Sequence, residues 1–444
     1  MRIKITVILI SMLLLASSGL LSAGTWQEVE TQFAPSVRSG HVAVYDSGTR
    51  SMVIMGDEDY SDATVYYLDL RTQKWIIQGS SDTVKRAGHS IVYDSSSKNR
   101  AMIFGGSVLG RGSLAGFENK TYTWSLDTES WAVLNSTGTF PLERIDHSAI
   151  YDSKNNRMII FGGKGNDGTY RNDIYSLDLT QTTPSWAQLN PTGTTPPARG
   201  KHTAIYDPVH QKMLIFGGTS SLNPVNNDLY SLDLTTLVWS KLSPSGTGPS
   251  ERTGHTAVYD PNTGTAGAMI VFGGTNPLSD QYLNDTYILD LSQISWEKVQ
   301  PGLNIPSGRT GHSAVYDTDN NRMIIFGGYN GSANLNNCYI FNVIDLWPPA
   351  SAKEEVFNYP NPFAAGSEST HITFYLDNGA SVSVSIFTLV GDLVKKWSLN
   401  GQKGINELLW DGRNGEGKLV ENGGYICLID KPGGKAKFKI AVLK

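Results

Sequence analysis

The chain has 444 residues, and with 39% hydrophobic and 17% charged residues its composition excludes an intrinsically disordered protein. Its formal net charge is −5 and it contains no block of lysines or arginines, so we expect no nucleic-acid partner. The two cysteines, Cys338 and Cys427, are too few for a disulfide framework, and we interpret them as small buried apolar side chains.

The first 24 residues have the pattern of a secretory signal peptide. Arg2 and Lys4 precede an apolar run from Ile5 to Leu21, and small residues follow it at 22–24. An uncleaved membrane anchor is the alternative, because the run is nearly long enough to span a bilayer. We therefore expect a secreted or cell-surface protein that meets the membrane only transiently, through this segment.

A nine-residue phrase, R-x-x-H-x-x-x-Y-D, then occurs six times. It begins at Arg38, Arg86, Arg144, Arg199, Arg252 and Arg309, and its histidines stand 48 to 58 residues apart. After each phrase comes an apolar run, which ends in two glycines in five of the six units. A segment such as NDIYSLDL from Asn172 and a tryptophan segment such as WAQL from Trp186 complete the unit. Self-similarity at this period predicts one supersecondary unit repeated six times.

All four parts of the unit are typical of short strands. In HSAVYD the alternation places His312, Ala314 and Tyr316 on one face, whereas MIIF from Met323 is apolar throughout, as a strand covered on both faces must be. One such four-stranded unit cannot cover its own apolar faces, so several must stack around an axis. The sequence therefore predicts an all-β propeller.

The unit resembles the kelch repeat in its paired glycines, the tyrosine of its third segment and the tryptophan of its fourth. The resemblance covers residues 25–346 and implies a six-bladed propeller like the central domain of galactose oxidase. The segment TWQEVE from Thr25 looks like a lone fourth strand, and the sixth unit ends after its third. We therefore expect this N-terminal strand, with Trp26, to complete the last blade and close the ring, which removes two free strand edges.

A linker with two prolines is predicted at 347–356, and a second all-β module at 357–444. The alternation at Val382, Val384 and Ile386 is typical of a sandwich strand. The module resembles the immunoglobulin-like domain of flagellar hook-capping proteins and the sorting domain of type IX secretion cargo. The segments that carry the resemblance are Tyr359–Phe363, Val390–Val394, Trp410–Gly412 and Gly423–Tyr425. It implies secretion, or attachment to a bacterial cell surface, and a purely structural cap is the alternative.

The sequence contains no catalytic motif and no metal-ligand motif that we recognise, and we expect no cofactor and no bound metal. The arginines and histidines of the repeated phrase are the largest set of polar candidates. They could ring the central channel and hold an anion. Residues repeated in every blade are more typical of scaffold, because few ligands have six-fold symmetry, so we interpret both sets as structural.

Better candidates for a ligand site lie where the repeat breaks. The first unit has Asp57 and Glu58 where the others have glycine and a loop residue. Position three of the phrase is glycine in four units but Asp146 in the third and Lys201 in the fourth, which are adjacent units. The resemblance to kelch propellers implies that this position, at the entrance to the first strand, lies beside the channel. Asp146 and Lys201 are either an exposed ion pair, which would contribute little, or two poles of a ligand site.

The loops after the apolar runs add aromatic candidates, since loops on a rigid scaffold are where recognition usually occurs. The loop residues that we select are Tyr60, Arg111, Phe117, Tyr170, Tyr282 and Tyr329. Aromatic faces beside Asn and Asp could stack on sugars, and ordinary loop packing is the alternative.

Three functional hypotheses follow. The first is an exported, non-catalytic binding protein that presents one propeller face to a glycan or protein ligand and uses its C-terminal module for the secretion machinery or the cell surface. The second is a sugar mutarotase or epimerase, with Asp57, Glu58, Asp146 or His147 as acid or base. The third is a purely structural component of the cell surface or of adhesion.

Overall fold

The computed structural model describes residues 24–299, 304–343 and 357–443, apart from 63, 82–84, 97, 110–114, 360–362, 367–368, 377 and 403. The predicted signal peptide, the predicted linker and Arg111 lie outside these residues. The chain divides into two compact units, Met1–Trp347 and Pro348–Lys444. No helix in the described ranges is long and apolar enough to cross a membrane.

The first unit contains six four-stranded antiparallel sheets, the blades, numbered here in chain order. Blade 1 has Val42–Asp46, Ser51–Met55, Thr64–Asp69 and Lys74–Ser80; blade 2 has Ser90–Asp94, Arg100–Phe104, Thr121–Ser125 and Ser130–Val133. Blade 3 has Ser148–Asp152, Arg157–Phe161, Ile174–Asp178 and Ser185–Leu189; blade 4 has Thr203–Asp207, Lys212–Gly218, Asn226–Asp233 and Val238–Leu242. Blade 5 has Thr256–Asp260, Ala268–Phe272, Thr286–Asp290 and Ser295–Lys298; blade 6 has Ser313–Asp317, Arg322–Phe326, Cys338–Val343 and Gly24–Val29.

In the described part of the propeller, ten short strands of two or three residues lie in the loops that connect the blade strands or the blades. They are Arg86–Ala87, Ser107–Leu109, Ala115–Phe117, Thr137–Gly138, Arg144–Ile145, Lys164–Gly165, Thr192–Gly193, Ser245–Gly246, Thr275–Asn276 and Gln281–Tyr282. Three of them, at 137–138, 192–193 and 245–246, pair in parallel with the tryptophan strand of the next blade. They therefore tie the end of one repeat to the outer edge of the following one.

The blades form a closed ring because the first strand of each contacts the first strands of its two neighbours, and blade 6 contacts blade 1. Apolar clusters fill each of the six interfaces, and the one between blades 6 and 1 packs Met52, Ile54 and Trp75 against Ile324 and Phe326. The second strands are covered on both faces, as their uninterrupted apolar runs predict. The predicted all-β propeller is confirmed.

The N-terminal strand closes the ring as predicted. Gly24–Val29 pairs antiparallel with Cys338–Val343, with Trp26 opposite Phe341. Trp26 is buried at the blade 5–6 interface, where its indole packs on Phe272 and its Nε1 donates to the Thr286 hydroxyl at 3.1 Å. Strands from the two ends of the repeat region therefore share one sheet.

The second unit consists of two β-sheets packed face to face. One contains Phe357–Tyr359, Thr370–Leu376 and Gly404–Trp410; the other contains Phe363–Ala364, Ala380–Thr388, Leu393–Gly401, Gly423–Lys431 and Gly434–Leu443. Side chains from both sheets share one core in which Trp410 packs edge-on to Tyr425. The predicted β-sandwich is therefore confirmed, and Cys338 and Cys427 are both free and buried, as expected.

Histidines of the repeated phrase connect neighbouring blades. In five of the six blades the imidazole Nε2 of the histidine is hydrogen-bonded to the hydroxyl of the residue that directly follows the histidine of the preceding blade. These pairs are Ser90–His147, Ser148–His202, Thr203–His255, Thr256–His312 and Ser313–His41, at 2.7 to 2.9 Å. The histidine set therefore belongs to the scaffold, as its repetition in every blade predicts.

One interface lacks this link. Blade 1 has Val42 where the other blades have serine or threonine, and neither ring nitrogen of the buried His89 has a hydrogen-bond partner in the described structure. An unpaired buried polar group costs roughly 1–3 kcal/mol. Among the described residues, the blade 1–2 interface therefore lacks the histidine link that joins the other five pairs of neighbouring blades.

We predict that Val42→Thr stabilises the protein by about 1 kcal/mol, because the new hydroxyl would face Nε2 of His89 as it does in blades 4 and 5. Chemical unfolding of the variant and of the wild type measures the change. Val44→Thr is the control, since Val44 lies in the apolar core between the same two blades and its replacement should destabilise. A lower free energy of unfolding for Val42→Thr than for the wild type would contradict the prediction that a hydroxyl at this position pairs with His89.

Candidate ligand-binding site at the channel mouth

Position three of the repeated phrase forms a ring around one end of the channel. The six residues are Gly40, Gly88, Asp146, Lys201, Gly254 and Gly311, and all have φ between 52° and 67°. Five of the six adjacent pairs are joined by a backbone hydrogen bond of 2.7 to 3.1 Å, in which the residue of one blade donates to its counterpart in the preceding blade. The sixth, from Gly88 to Gly40, is absent among the described residues, again between blades 1 and 2.

Glycine suits this ring because the left-handed conformation costs a side chain roughly 1 kcal/mol or more. Space is limiting as well, since a Cβ at Gly254 would lie 2.2 Å from the Thr310 hydroxyl oxygen. Asp146 and Lys201 therefore carry side chains at positions that the backbone reserves for glycine. Strained residues of this kind cluster at functional sites.

A cavity of about 880 Å³ opens at this ring. Its lining includes the six histidines, the ring residues, and loop residues from blades 1, 2 and 6. Among the residues selected from sequence, the structure brings six together here: Glu58, Tyr60, Phe117, Asp146, Lys201 and Tyr329. The cavity has a size typical of small-molecule or peptide sites.

Charge is distributed unevenly around the mouth. Glu58, Asp59 and Asp146 line it from blades 1 and 3, and Lys201 lines it from blade 4. Burial raises the pKa of the Asp146 carboxyl; Lys201 opposes this rise and Glu58 adds to it. No ion pair within 4.0 Å joins Asp146 to Lys201 in the described structure, so the predicted alternative of a direct pair is not formed. Both side chains are available to a ligand.

Blade 1 contributes acidic groups of two kinds. The Asp57 carboxylate is buried and accepts hydrogen bonds from the backbone N–H and hydroxyl of Ser61, so it stabilises the loop. Glu58 is exposed in the cavity and accepts one bond from the Ser39 hydroxyl. Tyr60 donates its hydroxyl to that of Ser107 at 3.0 Å, which ties the loops of blades 1 and 2 together.

The histidines around the channel are not acid–base groups at neutral pH. Burial, with the nearby arginine of each phrase, lowers the pKa of His41 and His202 to about 3, and lowers the pKa of the other four well below the usual value. His147, a sequence candidate for catalysis, is also hydrogen-bonded to Ser90. Its geometry is that of a structural residue.

Each arginine of the repeated phrase is enclosed within its own blade. Its guanidinium donates to the carbonyl of the first glycine after the apolar run and lies over a tyrosine ring, as Arg144 does with Gly162 and Tyr175. A carboxylate completes the site in five blades; these are Asp62, Glu118, Asp173, Asp228 and Asp285. The arginines are buried and already paired, so they serve as scaffold rather than as an anion-binding ring.

A family model described as the KLHDC2/KLHL20/DRC7 Kelch-repeats domain matches residues 88–301 and 263–357. The chain belongs to the kelch-repeat family. Acyl-CoA-binding domain-containing protein 5 of Arabidopsis thaliana is 29% identical over 329 residues, which are 69% of this chain and 46% of that protein. Host cell factor homolog hcf-1 of Caenorhabditis elegans is 31% identical over 297 residues, 62% of this chain and 35% of that protein.

Human host cell factor 1 is 28% identical over 366 residues, 72% of this chain but only 17% of that protein. The kelch chain thus spans less than half the length of these curated relatives. The solved structure of YjhT aligns with a TM-score of 0.55 and 16% identity, covering 70% of this chain and 97% of that one. This likeness concerns the fold alone.

Three sequence-selected residues lie outside the cavity lining of the kelch propeller. Asp57 caps its loop, Tyr282 packs edge-on against Tyr329 at 5.7 Å, and Tyr170 lies beside Gly200 and under the Lys164 ammonium. Conversely, Ser39, Asp59, Thr310 and Asn334 line the cavity but were not selected. Ser39 and Thr310 occupy position two of the phrase, directly after the arginine that all six units share. The residue type at this position varies between units, and that variation could have identified them.

We predict that Lys201→Gly and Asp146→Gly each raise the free energy of unfolding at neutral pH, by about 1 kcal/mol or less, because glycine relieves the left-handed strain. The Asp146 pKa is raised in the folded state, so its ionised form opposes folding as pH rises past the usual aspartate range. The advantage of Asp146→Gly should therefore shrink in acid. Chemical unfolding at several pH values measures both effects.

Gly254→Ala is the matched control for this pair, since it adds a Cβ to an equally left-handed residue that faces Thr310 and should destabilise. Destabilisation by Lys201→Gly would contradict the strain argument.

The sixth blade provides a second test, of the arginine scaffold. Arg309 has Asn337 where the other five arginines have a carboxylate, and burial lowers the Arg309 pKa to about 10. The Asn337 amide also donates to the Glu28 carboxylate at 3.5 Å, so the test is made in a Glu28→Gln background. There we predict that Asn337→Asp stabilises the protein by about 1 kcal/mol, measured by chemical unfolding, because it restores the charge-assisted pair without facing a second carboxylate.

Asn330→Asp, in a loop of the same blade, is the control, because the side-chain oxygen of Asn330 accepts bonds from the backbone N–H groups of Ser332 and Ala333 and a carboxylate can accept the same bonds. A neutral or destabilising Asn337→Asp would mean that the other five pairs add little to stability.

Proposed function

We propose that this kelch protein is an exported bacterial, non-catalytic binding protein that holds a protein or glycan ligand at the channel mouth. The observation that carries the proposal is the pair of charged side chains, Asp146 and Lys201, at ring positions reserved for glycine. The ring itself uses only backbone atoms of these residues, so its construction does not require either charge. We infer that a ligand contacts both the Asp146 carboxylate and the Lys201 ammonium, which would explain why these charged residues stand at the mouth.

Membership of the kelch family favours a protein ligand, since the propeller is a rigid platform with variable loops on one face. Exposed apolar side chains at two of these loops, Leu222 at 84% and Leu278 at 67%, add contact surface of the kind found at protein interfaces. The aromatic rings of Tyr60, Phe117 and Tyr329 in the cavity lining keep a glycan as the alternative ligand, because such rings stack on sugars.

The export part of the proposal rests on sequence. The N-terminal pattern is that of a signal peptide, and the second unit resembles the hook-capping and type IX sorting domains. We propose that this unit serves secretion or surface attachment. Cell fractionation of the source bacterium, with an antibody to the propeller, tests the location: detection in the cytosol alone would contradict export.

Ligand binding is tested by screening the purified mature chain against glycan and peptide arrays. We expect a specific hit that Asp146→Gly and Lys201→Gly each weaken by about tenfold, which is roughly one lost charge-assisted contact. Because both substitutions are expected to stabilise the fold, a loss of binding cannot be attributed to unfolding.

Lys241→Ala and Asp167→Ala are the matched controls, since each removes one charge from blade 4 or blade 3 outside the cavity lining. Equal weakening by these controls would place the ligand elsewhere. Unchanged binding in the two ring variants would contradict the proposed site.

A second candidate function, sugar mutarotation, is favoured by one observation. The Asp146 carboxyl lies in the cavity with a raised pKa, and it accepts no side-chain hydrogen bond from the residues that the structure describes, as suits a general acid–base group. Glu58 is the other carboxylate open to the cavity, whereas Asp57 and His147 are engaged in structural bonds. Anomer interconversion of free sugars, followed by NMR and abolished by Asp146→Asn, would favour this enzyme over a binding protein.

A further inference from the structure

The outer face of the five-stranded sheet in the second unit has an unusual composition. Residues paired across its four long strands form two parallel rows. The first row is Lys439, Ile426, Phe387 and Leu393; the second is Lys437, Leu428, Ser385 and Lys396. The opposite face, with Ile386, Cys427 and Ile440, forms the buried core. Apolar side chains thus occupy three of the four positions of the first row, and lysines lie at one end of the first row and at both ends of the second.

A turn extends this apolar surface beyond the sheet. Leu389 and Val390 follow strand Ala380–Thr388, and Leu389 lies over Gly424, next to Ile426 on the outer face. Val390 is 86% exposed, Leu389 61% and Leu393 57%. We call the apolar residues Phe387, Leu389, Val390, Leu393, Ile426 and Leu428, with Lys396, Lys437 and Lys439, the outer patch.

Leu389, Val390 and Leu393 are exposed, whereas Phe387, Ile426 and Leu428 are half-buried. Sandwich sheets normally present polar side chains on the outer face, so this apolar group indicates a binding surface.

The charges point to an anionic partner. The three lysines are exposed, and the carboxylate of Asp430, one row further along, lies 3.5 Å from the Lys435 ammonium. Asp392, at the base of the turn, is hydrogen-bonded to Thr388 rather than placed at the tip.

We propose that the outer patch binds an anionic lipid surface, with the turn at Leu389 and Val390 entering the headgroup layer and the lysines contacting lipid phosphates. A protruding apolar turn needs no complementary pocket in a lipid interface, whereas it would need one in a folded protein. Apolar side chains gain from burial at the acyl boundary, and each lysine near an anionic surface adds roughly a further factor of five in affinity.

This inference deepens the attachment role proposed for the second unit, and it rests on that role. It also differs from the expectation drawn from sequence, in which only the signal peptide meets a membrane. The test uses purified protein and vesicles, so its result does not depend on where the protein is located in the cell. If the protein does not bind vesicles, the proposals of ligand binding and export are unaffected. If the protein is found in the cytosol, its affinity for lipid can still be measured.

The experiment is co-sedimentation of the full mature chain with phosphatidylcholine vesicles, with and without phosphatidylglycerol. We expect binding to the anionic vesicles that weakens as salt is raised, since exposed charges are screened within about 10 Å at 0.1 M salt. Lys396→Glu with Lys437→Glu should reduce binding by roughly tenfold or more. Leu389→Ser with Val390→Ser should reduce binding severalfold without removing the salt dependence.

Matched controls exist on the propeller. Val209→Ser removes a valine that is 57% exposed, close to the 61% of Leu389, and Lys98→Glu with Lys154→Glu reverses two exposed charges; both should leave vesicle binding unchanged. No binding of the wild type to anionic vesicles at low salt would overturn the proposal. So would binding that survives both outer-patch variants, or binding that the propeller controls reduce equally. Binding to an acidic protein in place of vesicles would favour the other class of partner.

Discussion

Every blade of this propeller depends on its neighbours to cover it. The second strand of each sheet is apolar on both faces, and the six apolar clusters that bury these strands lie between blades rather than within them. A blade without a neighbour would expose a full sheet face, so the ring must close. The pairing of Gly24–Val29 with Cys338–Val343 is the step that achieves closure, because it supplies blade 6 with its outer strand and buries Trp26 between blades 5 and 6.

The same dependence explains the repeated polar residues. Closing a ring of sheets leaves buried carbonyls where the strands turn, and an arginine in each blade donates to one of them while a carboxylate or Asn337 binds the other side of the guanidinium. The histidines join one blade to the next through a hydroxyl. Since the six arginines and five of the six histidines form these bonds inside the scaffold, their repetition carries no information about a ligand.

The fold could be predicted from the sequence because the same pattern of four strand-forming segments occurs six times, so each segment is supported by its counterparts in the other units. The buried second strands follow from their uninterrupted apolar runs, and the closing strand follows from the point at which the repeat begins and ends. The sandwich at 357–444 lies outside the repeat and follows from the alternation of its own strands. Within the site, the departures from the repeat placed Asp146, Lys201 and Glu58 at one mouth. Selection of loop aromatics was less successful, because Tyr170 and Tyr282 are directed by local loop geometry, which no repeat determines. The left-handed backbone at position three was a further feature that the sequence interpretation missed, although four glycines there were its signal.

Backbone bonding at position three has a consequence for how such a site arises. Because the five hydrogen bonds of the ring join main-chain atoms alone, the ring survives exchange of its side chains, provided that the left-handed conformation and the local space permit a Cβ. A new charge at the mouth therefore costs strain but does not break the scaffold. The chemistry of the channel mouth can therefore differ from blade to blade while the arginine links stay constant, and the adjacent blades 3 and 4 carry opposite charges at this position.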